Sequence, residues 1–384
     1  MRRVERPPRD NWEAKVEQAG LTYHHTFSED GASRVYWDES AYYAFSLAEV
    51  LELERATNDL QGLCLAAAQH IIDKDRFAEL AIPPAAVPAI KAAWEAEPPA
   101  IYGRFDLAYD GHLPPKLLEY NADTPTALLE ASVVQWYWLH DLFAGNDQFN
   151  SIHEKLIAKW TDLKSYLTGP ILHFAHVDNS DTEDLMTANY LRDTAEQAGL
   201  KTEILLVEQI GWNAERRSFV DLNEEAIRSI FKLYPWEWIV HEEFGQMVLE
   251  TYAQMQWIEP IWKMMLSNKG LLPILWELNP NHPNLLPAYF DGPREMTSYV
   301  RKPLLSREGA NISLVTPASH LETTGDYGEE GYVYQQLFDL PGFDGKYPVI
   351  GSWVIDQDAA GIGIRESDTA ITSNLSRFVP HLID

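Results

Sequence analysis

The stretch Gly103-Arg104-Phe105-Asp106, followed after a short connection by Leu118-Glu119-Tyr120-Asn121-Ala122-Asp123-Thr124-Pro125-Thr126, decides how this chain is read. Asp110-Gly111-His112 and Pro114-Pro115 between the two halves have the composition of a hairpin connection, so two neighbouring strands are expected. Side chains alternate along a strand, so Arg104 and Asp106 share one face of the first and Glu119 and Asn121 one face of the second. A cation, two carboxylates and a carboxamide then aim into one space, as a site for a hard divalent cation and the phosphates it carries would require. Surface strands also carry acids for no reason beyond solubility, and the same residues could form a structural ion-pair network. The density of oxygen donors around one arginine favours the metal–phosphate reading.

The surrounding composition limits the alternatives. Among 384 residues, 46% are apolar and these are interrupted everywhere by charge, which describes a globular chain long enough for two or three lobes. No apolar run approaches the roughly 18–20 residues needed to span a bilayer. Met1-Arg2-Arg3-Val4-Glu5-Arg6 is basic but lacks the apolar core of an export signal, so a cytoplasmic protein is expected. The single cysteine, Cys64, rules out an intramolecular disulfide framework and a multi-cysteine zinc site, and its alanine-rich helical surroundings make it a small core residue. Thirty basic against 58 acidic residues give a net charge of −28, a field that repels nucleic acid and anionic membranes and attracts cations such as amines. Solubility alone also accounts for it, and the composition leaves self-association open.

Outward from the motif, Ser46-Leu47-Ala48-Glu49 is a capping box opening a helix to about Asp73. A second helix is expected from Pro125 to Phe143, with Thr124 and Thr126 in its first turn, near the positive end of the helix dipole. Ile171 to Val177, a helix starting at residues 181–184 and ending at Gly199, and Glu203 to Val207 read as a strand–helix–strand unit with parallel pairing. The last third is strand-rich: Tyr299 to Leu304, Tyr332 to Leu337 and Val349 to Ile355 are strands separated by polar, glycine-bearing loops. No flexible linker is evident, so interwoven lobes of mixed α/β character are expected.

Several further residues carry chemistry only in company. Lys302 sits in a strand-like segment, either solvated on an edge or turned inward towards an anion. The loop from Ser306 to Asn311 offers Arg307, Gly309 and free amides that can close over phosphates. Lys269 in Ser267-Asn268-Lys269-Gly270 has the ordinary reading of a helix C-cap lysine. Gln335-Gln336-Leu337-Phe338 could read an adenine edge or be a plain strand, and Arg365 after Gly361-Ile362-Gly363-Ile364 could meet a triphosphate or solvent. The histidines do not read as a metal site: His173 and His176 have helical spacing in a strand context, and His24 and His25 are expected to diverge. Trp136, Trp138, Trp236 and Trp238 read as packing residues.

These pieces in this order resemble the glutathionylspermidine synthase-like ATP-grasp ligases, and more closely the stand-alone acid–amine ligases of the YgiC/YjfC type. The resemblance runs over nearly the whole chain. It is carried by Tyr102 to Asp106, Leu117 to Thr126, Ser267 to Gly270, Tyr299 to Pro303, Ser306 to Asn311, Tyr334 to Gln336, Ile350 to Trp353 and Gly361 to Glu366. It implies an ATP-grasp fold with a preceding α/β domain and ATP held between lobes. The approximate division is 1–215 for the lobe carrying the metal and acid-substrate motif and 216–384 for the ATP-grasp lobes, with a lid near 303–312.

The resemblance assigns Asp106, Glu119 and Asn121 to magnesium, two ions being implied, and sets Arg104 beside the transferred phosphoryl group. Lys269 and Lys302 would hold ATP phosphates, Glu308 and Gly309 belong to the lid, Gln335, Gln336, Leu337 and Phe338 lie along the adenine, and Arg365 meets phosphate from the other side. Thr124, Thr126 and Glu183 fall where the family binds its acid. The implied reaction is transfer of the γ-phosphoryl group of ATP to a carboxylate, then attack of an amine on the acyl phosphate to form an amide. An ATP-binding regulatory protein of the same shape, with little turnover, is the alternative. The chain departs from the bifunctional synthases in two ways. No cysteine amidase domain is expected within these 384 residues, which leave no room for one and offer no suitable cysteine, and Phe231-Lys232-Leu233-Tyr234 stands where those enzymes carry a Trp-Lys-Thr-Trp type segment. The reaction type therefore transfers, and the glutathione–spermidine pair does not.

Overall fold

The computed structural model describes residues 1–27, 31–178, 182–307, 309–369 and 376–384. Its centre is a five-stranded antiparallel sheet in the order Arg377–Val379, Asp358–Ser367, Tyr347–Ile355, Tyr102–Ala108, Lys116–Asn121. The second and third of these strands are joined by Asp356-Gln357, both with positive φ, the two-residue turn that matches strand twist in a hairpin. The expected hairpin after Tyr102–Ala108 is present, and its connection is fixed by the Asp110 carboxylate, which accepts the backbone N–H groups of His112 and Leu113 at 2.8 and 2.7 Å.

The helix Leu47–Lys74 opens on Ser46 with the capping box complete. Its buried stripe includes Leu53, Leu60, Cys64 and Ile71, and the helix packs against the central sheet. Each buried Leu or Ile there contributes roughly 1.5–3 kcal/mol of transfer free energy. On the helix side of the sheet, Phe105 and Tyr120 stack at 3.9 Å between ring centroids, and Tyr120 donates to Gln61 Oε1 at 2.8 Å. The alternate residues of the same two strands, Arg104, Asp106, Glu119 and Asn121, are thereby turned to the opposite face.

A parallel four-stranded sheet has the order Gln256–Ile258, Ser229–Leu233, Leu172–His176, Thr202–Leu206, with helix Glu183–Gln197 as the crossover between the last two. A third, antiparallel sheet has the order Ala288–Tyr289, Tyr332–Gln336, Tyr299–Pro303, Ser313–Val315, His320–Glu322. The central and parallel sheets both take strands from either side of residue 215, so the chain weaves between layers.

The helix after the motif differs from the expectation. Residues 124–127 are irregular, Ala127 adopts φ 64°, and helical structure begins at Leu128 with a π-helical segment Glu130–Val134 before Gln135–Leu142. A left-handed residue cannot continue a right-handed helix, so Thr124 and Thr126 lie in a loop and not in a first helical turn. Of the four tryptophans read as packing residues, Trp138 and Trp236 are fully buried, whereas Trp136 and Trp238 are exposed at 43% and 39%. Among the described residues no helix is long and apolar enough to cross a membrane.

Candidate functional site

A cavity of about 410 Å³ opens where the three large sheets meet. Its floor follows from strand register. Arg104 stands opposite Asn121 and Asp106 opposite Glu119, with a bulge just beyond Asp106. Across the next two strands Asp106 faces Gly351, which faces Gly363, and Arg365 lies two residues on, on the same side. The glycine matters here, because a Cβ on Gly351 would lie 2.9 Å from Arg104 Cδ. Without it the guanidinium carbon lies 5.7 Å from the centroid of the Trp353 ring, and the group donates to Thr126 O at 2.7 Å.

Three cations contact the two acids. Asp106 accepts from Arg104 Nε at 2.8 Å and from Arg365 Nη2. Glu119 Oε2 lies 3.2 Å from Lys269 Nζ, and Oε1 accepts from Asn121 Nδ2 at 3.2 Å. Burial would raise the Glu119 pKa, but Lys269, Lys302 and Arg365 outweigh it and hold the carboxyl well below the usual range. Lys302 sits on the third sheet with its Nζ donating to Leu118 O and Gln335 Oε1, both at 2.8 Å, so it ties that sheet to the floor. Burial lowers its pKa to about 8. Two carboxylates and an amide oxygen form a donor set of hard oxygens suited to Mg²⁺, and ringing cations suit the phosphates such an ion carries.

Almost every candidate read from the sequence borders this one space: Arg104, Asp106, Glu119, Asn121, Thr124, Thr126, Glu183, Lys302, Gly309, Arg365, and the run Gln335 to Phe338. Lys269 is not on the wall. It lies behind Glu119 and donates to Ser306 O at the root of the loop bearing Arg307 and Gly309. Glu308 lies outside the described residues. Along the strand read for adenine, Gln335 is buried and its side chain is committed to Lys302 and to Leu117 O, while the N–H groups of Gln336 and Leu337 bond Pro287 O and Ser298 O.

The far end of the cavity was only partly visible from sequence. Its wall includes Val177, Asp184, Leu233, Tyr234, Pro235 and Trp238 beside Thr124 and Glu183. Arg307 crosses it, donating to Thr124 Oγ1 at 3.1 Å and to Glu237, with its guanidinium carbon 5.6 Å from the Trp238 ring. Beneath lies the partner of Asp123. Its Oδ1 accepts from Lys232 Nζ at 2.5 Å and its Oδ2 from Trp236 N at 2.9 Å, while Ser267 Oγ accepts the N–H groups of Ala122 and Asp123. Asp123 and Lys232 are 0% and 2% exposed, and burial pushes the lysine down and the aspartate up. A lysine inside an otherwise apolar strand was the available signal, since a fully buried ammonium needs a buried carboxylate.

The histidines also need a correction. His24 and His25 do not diverge: their Nδ1 atoms are 2.8 Å apart, and His24 Nε2 lies 3.0 Å from Glu17. The His24 carbonyl, just before the strand His25–Phe27, accepts from both Tyr36 and Trp37, an irregular pairing that breaks the alternation expected of an extended segment. His173 stands opposite Glu203 in the parallel sheet and lies 3.4 Å from Asp221.

The family model for the glutathionylspermidine synthase preATP-grasp matches residues 3–384. A Haemophilus influenzae protein described as a "Putative acid–amine ligase" is 44% identical over 387 aligned residues, covering 98% of this chain and 97% of its own. Trypanothione synthetase of Crithidia fasciculata is 30% identical over 82% of this chain and 52% of its own length. The bifunctional glutathionylspermidine synthetase/amidase of Escherichia coli K12 is 27% identical over 90% and 60%. The chain thus spans little more than half the length of these last two relatives. Among solved structures, a ligand-free glutathione synthetase-like effector of Globodera pallida superposes with a TM-score of 0.62 at 9% identity, covering 99% of this chain and 98% of that one, a likeness of fold alone.

Proposed function

Since the chain belongs to the glutathionylspermidine synthase preATP-grasp family and is homologous to acid–amine ligases, we propose that it is an ATP- and magnesium-dependent ligase joining a small carboxylic acid to an amine. The observation that carries this reading is the convergence on one cavity of Asp106, Glu119 and Asn121 with Arg104, Lys302 and Arg365, with Thr124 beside them.

In this reading the fold is an ATP-grasp with a preceding α/β domain, the boundary near residue 215 being one of sequence and not of sheets, since two sheets take strands from both sides of it, and the nucleotide lies between the third sheet and the floor. Asp106, Glu119 and Asn121 hold magnesium, which when bound neutralises phosphate charge and fixes the γ-phosphoryl group for transfer. Arg104 faces the transferred group and stabilises charge as it develops on it. Lys302, Arg365 and, from behind Glu119, Lys269 offset the triphosphate. Gln335 to Phe338 border the base, and Gly309 and Glu308 belong to the lid. Thr124 and Thr126 position the substrate carboxylate. Its oxygen attacks the γ-phosphorus, ADP leaves, and an acyl phosphate forms. The amine nitrogen, having given up the proton of its ammonium form, then bonds to the carbonyl carbon, phosphate departs, and the amide is released with loss of one further proton from nitrogen. Glu183, read with Thr124 and Thr126 at the acid, borders the same end of the cavity as Asp184, whose negative charge suits a cationic amine, consistent with the net charge of −28. Closure of the loop after Ser306 protects the acyl phosphate from water. A cytoplasmic setting with its ATP supply suits this chemistry.

The test is a matrix of carboxylic acids and amines, assayed for magnesium-dependent ADP release and for a product whose mass is acid plus amine minus water. Stimulation that requires both members of a pair supports the proposal. Tight ATP binding without stimulation by any pair would favour a binding or regulatory protein of the same shape.

A further inference from the structure

We propose that Asp123 and Lys232 are a positioning pair that holds the lid loop over the acid end of the cavity. Thr124 Oγ1 and Glu237 Oε1 belong to different segments, yet the single guanidinium of Arg307 grips both. Its reach fixes the separation those two oxygens must have. Thr124 follows Asp123 directly, and Glu237 follows Trp236, so the link between residues 123 and 236 sets that separation. This link is the Asp123 carboxylate, with one oxygen on Lys232 Nζ and the other on the Trp236 N–H.

The contacts therefore close a ring: Asp123 to Trp236, Trp236 along the chain to Glu237, Glu237 to Arg307, Arg307 to Thr124, and Thr124 back to Asp123. Ser267 clamps the backbone of residues 122 and 123 from below, so the loop cannot shift to compensate. Lys232 is sealed from solvent, with its Nζ 4.9 Å from the Trp236 ring centroid, so water cannot take over its role. An asparagine at 123 offers one acceptor and one NH₂ group, and leaves either Lys232 or the Trp236 N–H without an acceptor. The inference deepens the ligase reading, on which its meaning for catalysis rests, but its geometry is independent of any substrate.

The experiment is hydrogen exchange in the full, ligand-free chain, read at the lid amides of Ala310, Asn311 and Ile312 and at the strand amides of Ile230 to Lys232. Asp123→Asn and Arg307→Lys are each expected to speed lid exchange by about tenfold, with the strand amides much less affected. The double variant should be no faster than the faster single, because both open the same ring. Should Asp123→Asn not fold, Asp123→Leu combined with Lys232→Met removes both buried charges together with the acceptor of the Trp236 N–H, and is held to the same expectation. Unchanged lid exchange, acceleration shared equally with the strand, or additive effects would each overturn the proposal. No acid, amine or nucleotide is present, so such a failure leaves the ligase reading standing.

Discussion

Asp106 and Glu119 stand directly opposite each other on neighbouring antiparallel strands, two acids facing one space. Like charges in that register normally destabilise a sheet. Here Arg104 and Arg365 contact one acid and Lys269 the other, and these opposite charges offset the repulsion between the two carboxyl groups.

Glu119→Gln should reduce magnesium-dependent turnover by about 10²-fold or more, the scale for losing one group aimed at transition-state charge. The same change should lower stability, since it leaves Lys269, Lys302 and Arg365 facing one carboxylate fewer. The Glu119 pKa is depressed in the folded chain, so its contribution is present above the ordinary glutamate pKa and is lost as pH falls towards the folded value. Thermal melts across acid pH should show this loss in the wild type and a weaker one in the variant.

Lys302 gives a second pH signature with the opposite window. Burial sets its pKa at about 8 without ligand, so above that pH it is largely neutral and must take up a proton to meet phosphate. Affinity for magnesium and a non-hydrolysable ATP analogue, measured by calorimetry, should therefore weaken as pH rises from 8 towards the ordinary lysine value, with proton uptake visible in buffers of different ionisation heat. Lys302→Met should bind more weakly at pH 7 and lose that dependence. In the free protein, the unfolded chain binds the extra proton between about pH 8 and 10.4, so the stability cost of this buried lysine declines across the same window.

Gly351→Ala places a methyl group 2.9 Å from Arg104 Cδ. The arginine must move, because the other side of the contact is the strand itself. Overpacking of this kind costs about 1–3 kcal/mol, readable by denaturant melts, and turnover should fall further than the loss of stability explains. Gly345→Ala, where nothing lies near an added Cβ but φ is 77°, is a control for backbone strain alone.

Leu233 borders the acid end beside Tyr234 and Trp238. Leu233→Thr should change the ratio of kcat/KM between two accepted acids by about tenfold, the range of small pocket changes, while the KM for ATP holds. Equal ratios in both proteins would remove Leu233 from substrate selection.

Much of this site was legible because strand alternation is rigid. Once Arg104, Asp106, Glu119 and Asn121 lie on paired strands, their common face follows, and the capping box at Ser46 fixes the start of the supporting helix with equal directness. Other features depended on contacts between distant segments. The start of the helix after the motif moved to Leu128 because Ala127 is left-handed, a conformation its side chain does not advertise. Asp123 has its partner 109 residues away, on a different sheet. Lys269 faces the cavity only through Glu119, and Arg307 reaches across to Thr124 and Glu237, geometry that a linear motif cannot encode.

The central claim is phosphoryl transfer to a carboxylate, and oxygen-18 tests it most directly. With an acid labelled in its carboxylate oxygens and an amine that together stimulate turnover, the account predicts ADP as the nucleotide product and one labelled oxygen in the released phosphate per amide formed. Label appearing in AMP, or phosphate released without label while amide accumulates, would contradict it.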